Sequence, residues 1–402
     1  MIGIELEHAL EIILDNVKEI NKVEEVTLWD AGNRILAEDI YSPIDNPPFD
    51  KSPLDGFALR SQDLTGASKD NPIKISVVDI IYAGHYSHKE IKEGQAARIM
   101  TGAPIPGGAD CIIRLEDVVE KSGHILVSKE LRQYDNYCFK GEDVIKGSLI
   151  LTRGERITYI EQGILASLGL DKVRVYEKPR LALLVTGDEI IAPGEELALG
   201  KIYDSNLTLL YSRLSELGIA PQIAGYLPDD PSLAAKKLAE VSQEVDLIVT
   251  TGGVSVGDKD ILHDVLPIMG ANRLFWRVNL KPGTPAMFAT YKDTVMFHLS
   301  GNPFAAITTF ELLVRPYLAK VSKDASVGTK RKKAILDNDF TKESKGRRFI
   351  RAREEDSKVI VPQASKHASG ILSSMKGCNC LIDIAAGSPK LPKGTQVDII
   401  VL

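Results

Sequence analysis

Apolar residues recur at helical spacing from the start of the chain. Leu6, Leu10, Ile13, Leu14 and Val17 make one stripe, with Glu5, Glu11, Asp15 and Lys18 outside it. That pattern predicts an amphipathic helix. Strands are predicted around 26–28 and 35–40. The segment NPPFDKSPLDGFA, 46–58, follows Pro43 and carries Pro47, Pro48, Pro53 and the pair Asp55-Gly56. It reads as an irregular loop and a domain boundary. Strand-like runs at 73–81, 97–100, 111–115 and 125–127, separated by Gly/Pro turns, predict a small barrel-like β domain. A second helix is predicted after Arg156-Ile157. Thr158 and Glu161 form a capping-box pair, and Ile160, Ile164, Leu165 and Leu168 follow at helical spacing.

The rhythm changes between about 179 and 325. Residues 181–186 form a fully apolar strand. Leu207, Leu210, Leu214 and Leu217 mark a helix stopped by Gly218. A strand follows at 219–226, and Pro231 opens the next helix, where proline is tolerated. Buried strands are predicted at 247–251 and 295–299, and an apolar helix at 304–318. Uniformly apolar strands alternating with helices predict a parallel sheet covered on both faces. Beyond the basic stretch 330–333, alternation at 349–353, 359–361 and 397–402 predicts another small β domain. The fold class is therefore multi-domain α/β plus β. The chain has no internal repeat and no low-complexity segment.

Composition narrows the function classes. The 402 residues carry 49 Lys+Arg against 55 Asp+Glu, a net charge of −6. That balance argues against nucleic acid as a partner. Hydrophobic residues at 44% and charged residues at 26% are those of a globular chain with sizeable cores. No apolar run approaches the roughly 18 residues of a membrane helix, and the acidic N-terminus does not read as a signal peptide. The four cysteines, Cys111, Cys138, Cys378 and Cys380, are scattered and include no CxxC. Too few for a disulfide framework, they point to a reducing cytoplasm, and Cys378 and Cys380, two apart in an apolar stretch, read as buried small hydrophobes. His85 and His88 lie in a Gly/Tyr/Ser loop and read as surface residues rather than zinc ligands.

Ligands of an open parallel sheet sit beyond the carboxyl ends of its strands. Three glycine loops are predicted there: TGDE (186–189), TGGVSVGDKD (251–260) and SGNPFAA (300–306). Such loops bring backbone N–H groups to phosphate oxygens. None is a Walker or GxGxxG sequence. Glu189 and Asp260 follow two of the strands, and carboxylates beside phosphates call for a hard cation, ordinarily Mg²⁺. The alternative is solvated carboxylates on first helical turns. Lys281, in NLKPGTP, is a phosphate or oxyanion contact or a surface turn residue. On spacing alone Asp55, Thr101, Asp143 and Asp229 read as turn residues.

Seven ordered motifs then resemble those of one family: NPPFDKSPLDGFA, TGAPIPGGADCIIRLEDV, KGEDVIKG, VTGDEI, TTGGVSVGDKD, LKPGTP and SGNPFAA. They are similar to the molybdopterin molybdenumtransferases, the MoeA family, which includes the E domain of gephyrin. The resemblance implies an elongated module at 1–44 and 145–178, a β domain at 45–144, a molybdopterin-binding α/β domain at 179–330 and a β-barrel-like domain at 331–402. It implies a homodimer with its active site between the α/β domain of one subunit and the β domain of the other.

The implied reaction inserts molybdate or tungstate into adenylylated molybdopterin and releases AMP. Glu189 and Asp260 would hold Mg²⁺. Gly252, Gly253, Ser255, Ser300, Gly301, Asn302 and Pro303 would cradle the nucleotide. Lys281, Arg351 and Ser369 would bind molybdate or the terminal phosphate. Asp55, Asp143, Thr101 and Asp229 map onto motif positions bordering the cleft, the first two as catalytic groups. The upstream adenylyltransferase and downstream cofactor-handling proteins are the implied partners, and no membrane is.

The sequence departs from the family pattern at Lys51-Ser52-Pro53-Leu54, at Tyr137-Cys138-Phe139 where basic residues are usual, and at Thr284 where many members have a second lysine. These changes remove positive charge near the implied anion site, so weak oxyanion binding is expected unless Arg277, where members often have lysine, or Arg351 compensates. Two other functions remain open at this point: an adenylyltransferase-like nucleotide enzyme, which needs only 179–330, and a non-catalytic scaffold.

Overall fold

A computed structural model describes residues 1–255, 260–362 and 368–402. The chain forms two compact units. One comprises Met1–Glu24, Asn33–Ile35 and Tyr176–Leu402, the other Glu25–Gly32 and Leu36–Val175.

The first unit is built on a seven-stranded sheet in the order Ile2–Ile4, Asn272–Val278, Met287–Tyr291, Thr294–Leu299, Leu247–Thr251, Leu181–Thr186, Gln222–Leu227. The last four run parallel, as their apolar character predicts. Beside this parallel part the sheet carries an antiparallel extension and is mixed as a whole. Met287–Tyr291 turns back on Thr294–Leu299 and on Asn272–Val278 in antiparallel ladders. The reversal rests on a two-residue turn at Lys292-Asp293, with Lys292 at φ +53°. Such turns usually advertise themselves with Asn-Gly or Asp-Gly, and this one does not. The edge strand Ile2–Ile4 is too short to carry a periodic signal.

Each face of the sheet has its own core. Leu183, Val249 and Phe297 pack with Leu6, Ile13, Leu210, Leu214 and Phe310 on one side. Leu184, Ile248 and Met296 pack with Ala234, Leu238, Val265 and Leu266 on the other. The helix predicted at 304–318 is observed as Pro303–Thr309, a π turn at Phe310–Val314, and Arg315–Val321. Pro316 has no N–H to offer the carbonyl four residues back, and the wide turn lies just before it.

His298 is fully buried on the second face, where its Nδ1 lies 2.8 Å from Thr250 Oγ1. Burial pushes its pKa down to about 3. The folded chain keeps this ring neutral while the unfolded chain protonates it near 6.5, so stability falls as pH drops below 6.5 and goes on falling to about 3. The loss through this one group is expected to reach about 2 kcal/mol at pH 5. Denaturant unfolding at pH 7.5 and pH 5 measures it, and His298→Asn is expected to flatten the difference.

The C-terminal part is a closed barrel in the order Lys330–Leu336, Lys358–Ile360, Arg348–Glu355, Cys380–Ile384, Gln396–Val401. Its first strand begins in the basic stretch. The exposed charges find partners across the barrel: Arg331 reaches Asp383 at 2.8 Å and Lys332 reaches Glu354 at 2.9 Å.

The second unit holds a six-stranded sheet in the order Cys111–Arg114, Gly56–Leu59, Gln95–Ile99, Ile73–Ile81, His124–Val127, Val118–Lys121. This sheet is open rather than barrel-like. Gly56 is a strand residue, not part of a turn. A Cβ there would lie 2.0 Å from Ile113 O, so only glycine lets the two backbones approach. The predicted 35–40 strand reduces to an isolated bridge at Leu36 and the short strand Ile40–Tyr41. The Tyr159–Ser167 helix carries the predicted capping box, with Thr158 N donating to Glu161 Oε2 at 2.7 Å. His85 and His88 are exposed, and all four cysteines are free thiols.

Candidate active site

Three strands of the first unit end at one edge and release the three glycine loops side by side. Leu181–Thr186 runs into Gly187–Glu189, Leu247–Thr251 into Gly252–Ser255, and Thr294–Leu299 into Ser300–Asn302. They enclose a cleft of about 620 Å³. The loops approach backbone to backbone. A Cβ on Gly252, at φ +88°, would lie 2.6 Å from Thr186 O, and one on Gly301 would lie 3.5 Å from Gly252 Cα. A side chain at Gly252 would force these loops apart.

Glu189, Asp229, Gly252, Gly253, Ser255, Asp260, Ser300, Gly301, Asn302 and Pro303 all line this cleft. Val256 to Lys259 of the TGGVSVGDKD motif lie outside the described residues. Glu189 curls back over its own loop, so that a Cβ on Gly187 would meet Glu189 Oε2 at 2.8 Å.

Two carboxylates of hard oxygen donors, Glu189 and Asp260, thus face a cleft sized for a polyanion. Among the described residues no group of three His, Cys, Asp or Glu could hold a metal by itself. That donor set fits Mg²⁺ taken up with a phosphate substrate, since Mg²⁺ commonly binds through one or two carboxylates plus phosphate oxygens and water.

The sequence reading missed Asp204-Ser205-Asn206, which also line the cleft. Asp204 is 6% exposed, and burial raises its carboxyl above the usual range although Leu207 N donates to it at 3.1 Å. Asn206 Nδ2 donates to Gly301 O at 2.8 Å and ties two of the walls together. The available signal was an Asp-Ser-Asn run just before the Leu207 stripe, a helix-start pattern.

A second cavity, of about 300 Å³, shares Ser300 and Asn302 with the cleft. Lys281 and Ser369 line it, as expected, together with Thr284 and Arg348. Arg351 does not. It is 0% exposed, stacks 3.9 Å from the Phe304 ring centroid, and donates to Ala368 O at 2.8 Å and Ile371 O at 3.1 Å. Its guanidinium is thus held by backbone carbonyls outside this second cavity. Arg277 is exposed and lies over Trp276 rather than in either cavity.

Asp55, Thr101 and Asp143 belong to the second unit. Asp55 Oδ1 accepts from both the N–H and the hydroxyl of Thr101, each at 2.7 Å. The backbone bond is the largest of the causes holding that carboxyl below its usual range. Asp143 Oδ2 accepts from Asn46 Nδ2 at 2.9 Å. Tyr137 and Phe139, in the place of the usual basic residues, cluster with Tyr134, the three ring centroids 4.7–5.3 Å from one another.

Comparison with known proteins accounts for the whole chain. Residues 4–169 match the MoeA N-terminal region (domain I and II), 182–320 a probable molybdopterin binding domain, and 333–402 the MoeA C-terminal region (domain IV). The molybdopterin molybdenumtransferase of Bacillus subtilis is 36% identical over 95% of this chain and 90% of its own length. The chain belongs to the MoeA family. As a family member it is a transferase of molybdenum cofactor biosynthesis. The Staphylococcus epidermidis molybdopterin molybdenumtransferase is 35% identical over 99% of this chain and 95% of its length. A crystal structure of a MoeA protein from Pyrococcus horikoshii superposes with a TM-score of 0.82 at 32% identity, covering 100% of both chains. Among the described residues no helix is long and apolar enough to cross a membrane.

Proposed function

We propose that this protein inserts molybdate or tungstate into adenylylated molybdopterin, with release of AMP. The observation that carries the reading is the junction of two cavities at Ser300 and Asn302. One is a glycine-walled cleft with two carboxylates, and the other is lined by cations. A pyrophosphate fits the first and a tetrahedral oxyanion the second. The overall chemistry balances. Two thiol protons leave with one molybdate oxygen as water when the dithiolene takes the metal, and cleavage of the phosphoanhydride takes up one water.

The glycine loops orient the phosphates, Lys281 and Ser369 hold the oxyanion, and Asp229 and Asn302 border the reacting linkage. Mg²⁺ on Glu189 and Asp260 would supply Lewis-acid polarisation of the phosphoanhydride. Asp55, Thr101 and Asp143 are assigned to the reaction by the family motifs rather than by this cleft. In this reading the chain works as four modules, 1–44 with 145–178, 45–144, 179–330 and 331–402. It acts in the cytoplasm, between the upstream adenylyltransferase and downstream cofactor-handling proteins. An adenylyltransferase-like reading leaves the matches at 4–169 and 333–402 without a role.

The test is incubation with adenylylated molybdopterin, Mg²⁺ and molybdate or tungstate, following AMP by chromatography and metal by mass spectrometry. AMP release that ignores both oxyanions would sink the proposal.

The working form is a homodimer in this reading. Its support is the unusual exposure of Trp29 at 94% and Tyr159 at 82%, both in the second unit, where Gln162 Nε2 donates to Leu28 O. Large exposed aromatics of this kind mark interaction surfaces. Trp29→Glu with Tyr159→Glu is expected to convert a dimer into a monomer in analytical ultracentrifugation.

A further inference from the structure

We infer that Arg348 supplies the oxyanion-binding charge that this chain lacks at Thr284. The inference rests on the proposed function for the identity of the anion. Lys281 and Arg348 line the same cavity of about 300 Å³, and no carboxylate lines it with them. Neither has a carboxylate ion-pair partner among the described residues. Arg348 Nε is buried there without a hydrogen-bond partner. A buried donor left unpaired is costly, and two cations on one cavity repel each other until an anion lies between them.

The backbone fixes this pairing. Lys281 N donates to Arg347 O at 3.0 Å, and Phe349 N donates to Lys281 O at 2.7 Å. The 281 turn is thereby stitched to the barrel strand on both sides of Arg348. Thr284 cannot serve as the donor, because its hydroxyl already donates to Leu280 O at 2.6 Å. Arg351 and Arg277 do not line this cavity: Arg351 holds backbone carbonyls and Arg277 lies over Trp276. Arg348 presents a guanidinium fork suited to two oxygens of a tetrahedral dianion.

The test titrates molybdate into the full-length protein by calorimetry, with tungstate and sulfate in parallel. Arg348→Gln is expected to weaken molybdate binding about tenfold, and Arg348→Lys to recover part of it. Thr284→Lys is expected to restore binding in the Arg348→Gln background. In the wild-type background it is expected to change binding less, because Arg348 already meets the need. Unfolding midpoints of the variants are measured alongside, and a lowered midpoint with Arg348→Lys binding no better than Arg348→Gln points to a structural role and overturns the inference. It also fails if wild type binds no molybdate, or if Arg348→Gln binds as well as wild type. Arg348-dependent molybdate binding without AMP release from adenylylated molybdopterin would instead remove the proposed reaction and leave the anion site standing. AMP release with an unchanged molybdate half-saturation in Arg348→Gln would do the reverse.

Discussion

Asp260→Ala is expected to lower AMP release by two to three decades while the fold stays intact. Asp260 faces the cleft beside the Gly252-Gly253 loop, and only Glu189 among the proposed metal ligands would remain. Lewis-acid stabilisation of developing charge is worth several kcal/mol, and about 1.36 kcal/mol corresponds to tenfold in rate. Asp260→Asn keeps the shape and loses the charge, so it should be partly recovered by raising Mg²⁺. A Mg²⁺ titration of wild type and both variants, with circular dichroism as the folding control, measures this. Near-normal turnover of Asp260→Ala at saturating Mg²⁺ would take this residue out of the mechanism.

The largest stability effect is expected at Glu311. Its carboxylate is 0% exposed in the π turn and receives Arg213 Nε at 2.7 Å and the Arg315 guanidinium. Arg315 is itself buried and also donates to Val327 O and Gly328 O. Removing the acid leaves the buried Arg315 guanidinium without its carboxylate, while the half-buried Arg213 keeps Glu216, and breaking a buried pair this way costs about 3–5 kcal/mol. Glu311→Ala should shift the urea midpoint reported by Trp276 fluorescence, and Glu311→Gln should shift it less. The second unit, reported by Trp29, should be far less affected.

Both predictions draw on features that are unequally visible in the amino-acid order. The glycine loops are legible because their chemistry is local. An apolar strand followed by Thr-Gly-Gly or Ser-Gly-Asn marks a strand end wherever the chain later goes, and so Glu189, Asp260 and Ser300–Asn302 stand out from the residue order alone. The capping box at Thr158 is legible for the same reason. Glu311 is not, because a glutamate inside an apolar helical run gives no hint of the arginines that will meet it, one of them about a hundred positions away in the chain.

The sequence by itself determined the alternating strands and helices that carry the glycine loops, the glycine-walled character of the cleft, and the family motifs. Each of those is written in a few consecutive residues. Only the tertiary structure decided which arginine lines the second cavity. Arg348 and Arg351 lie three residues apart on one strand, yet the first lines the cavity and the second is sealed against Phe304. Residues at an odd separation on a strand point to opposite faces, so the register of Arg348–Glu355 against Cys380–Ile384 and the bridge from Lys281 to Arg348 make the choice. The same holds for the mixed sheet, where a two-residue turn without a glycine reverses the chain, and for Gly56, whose need for a bare backbone comes from Ile113 across the ladder. Pairings between distant segments are set by which faces can be buried together, and no local pattern records them.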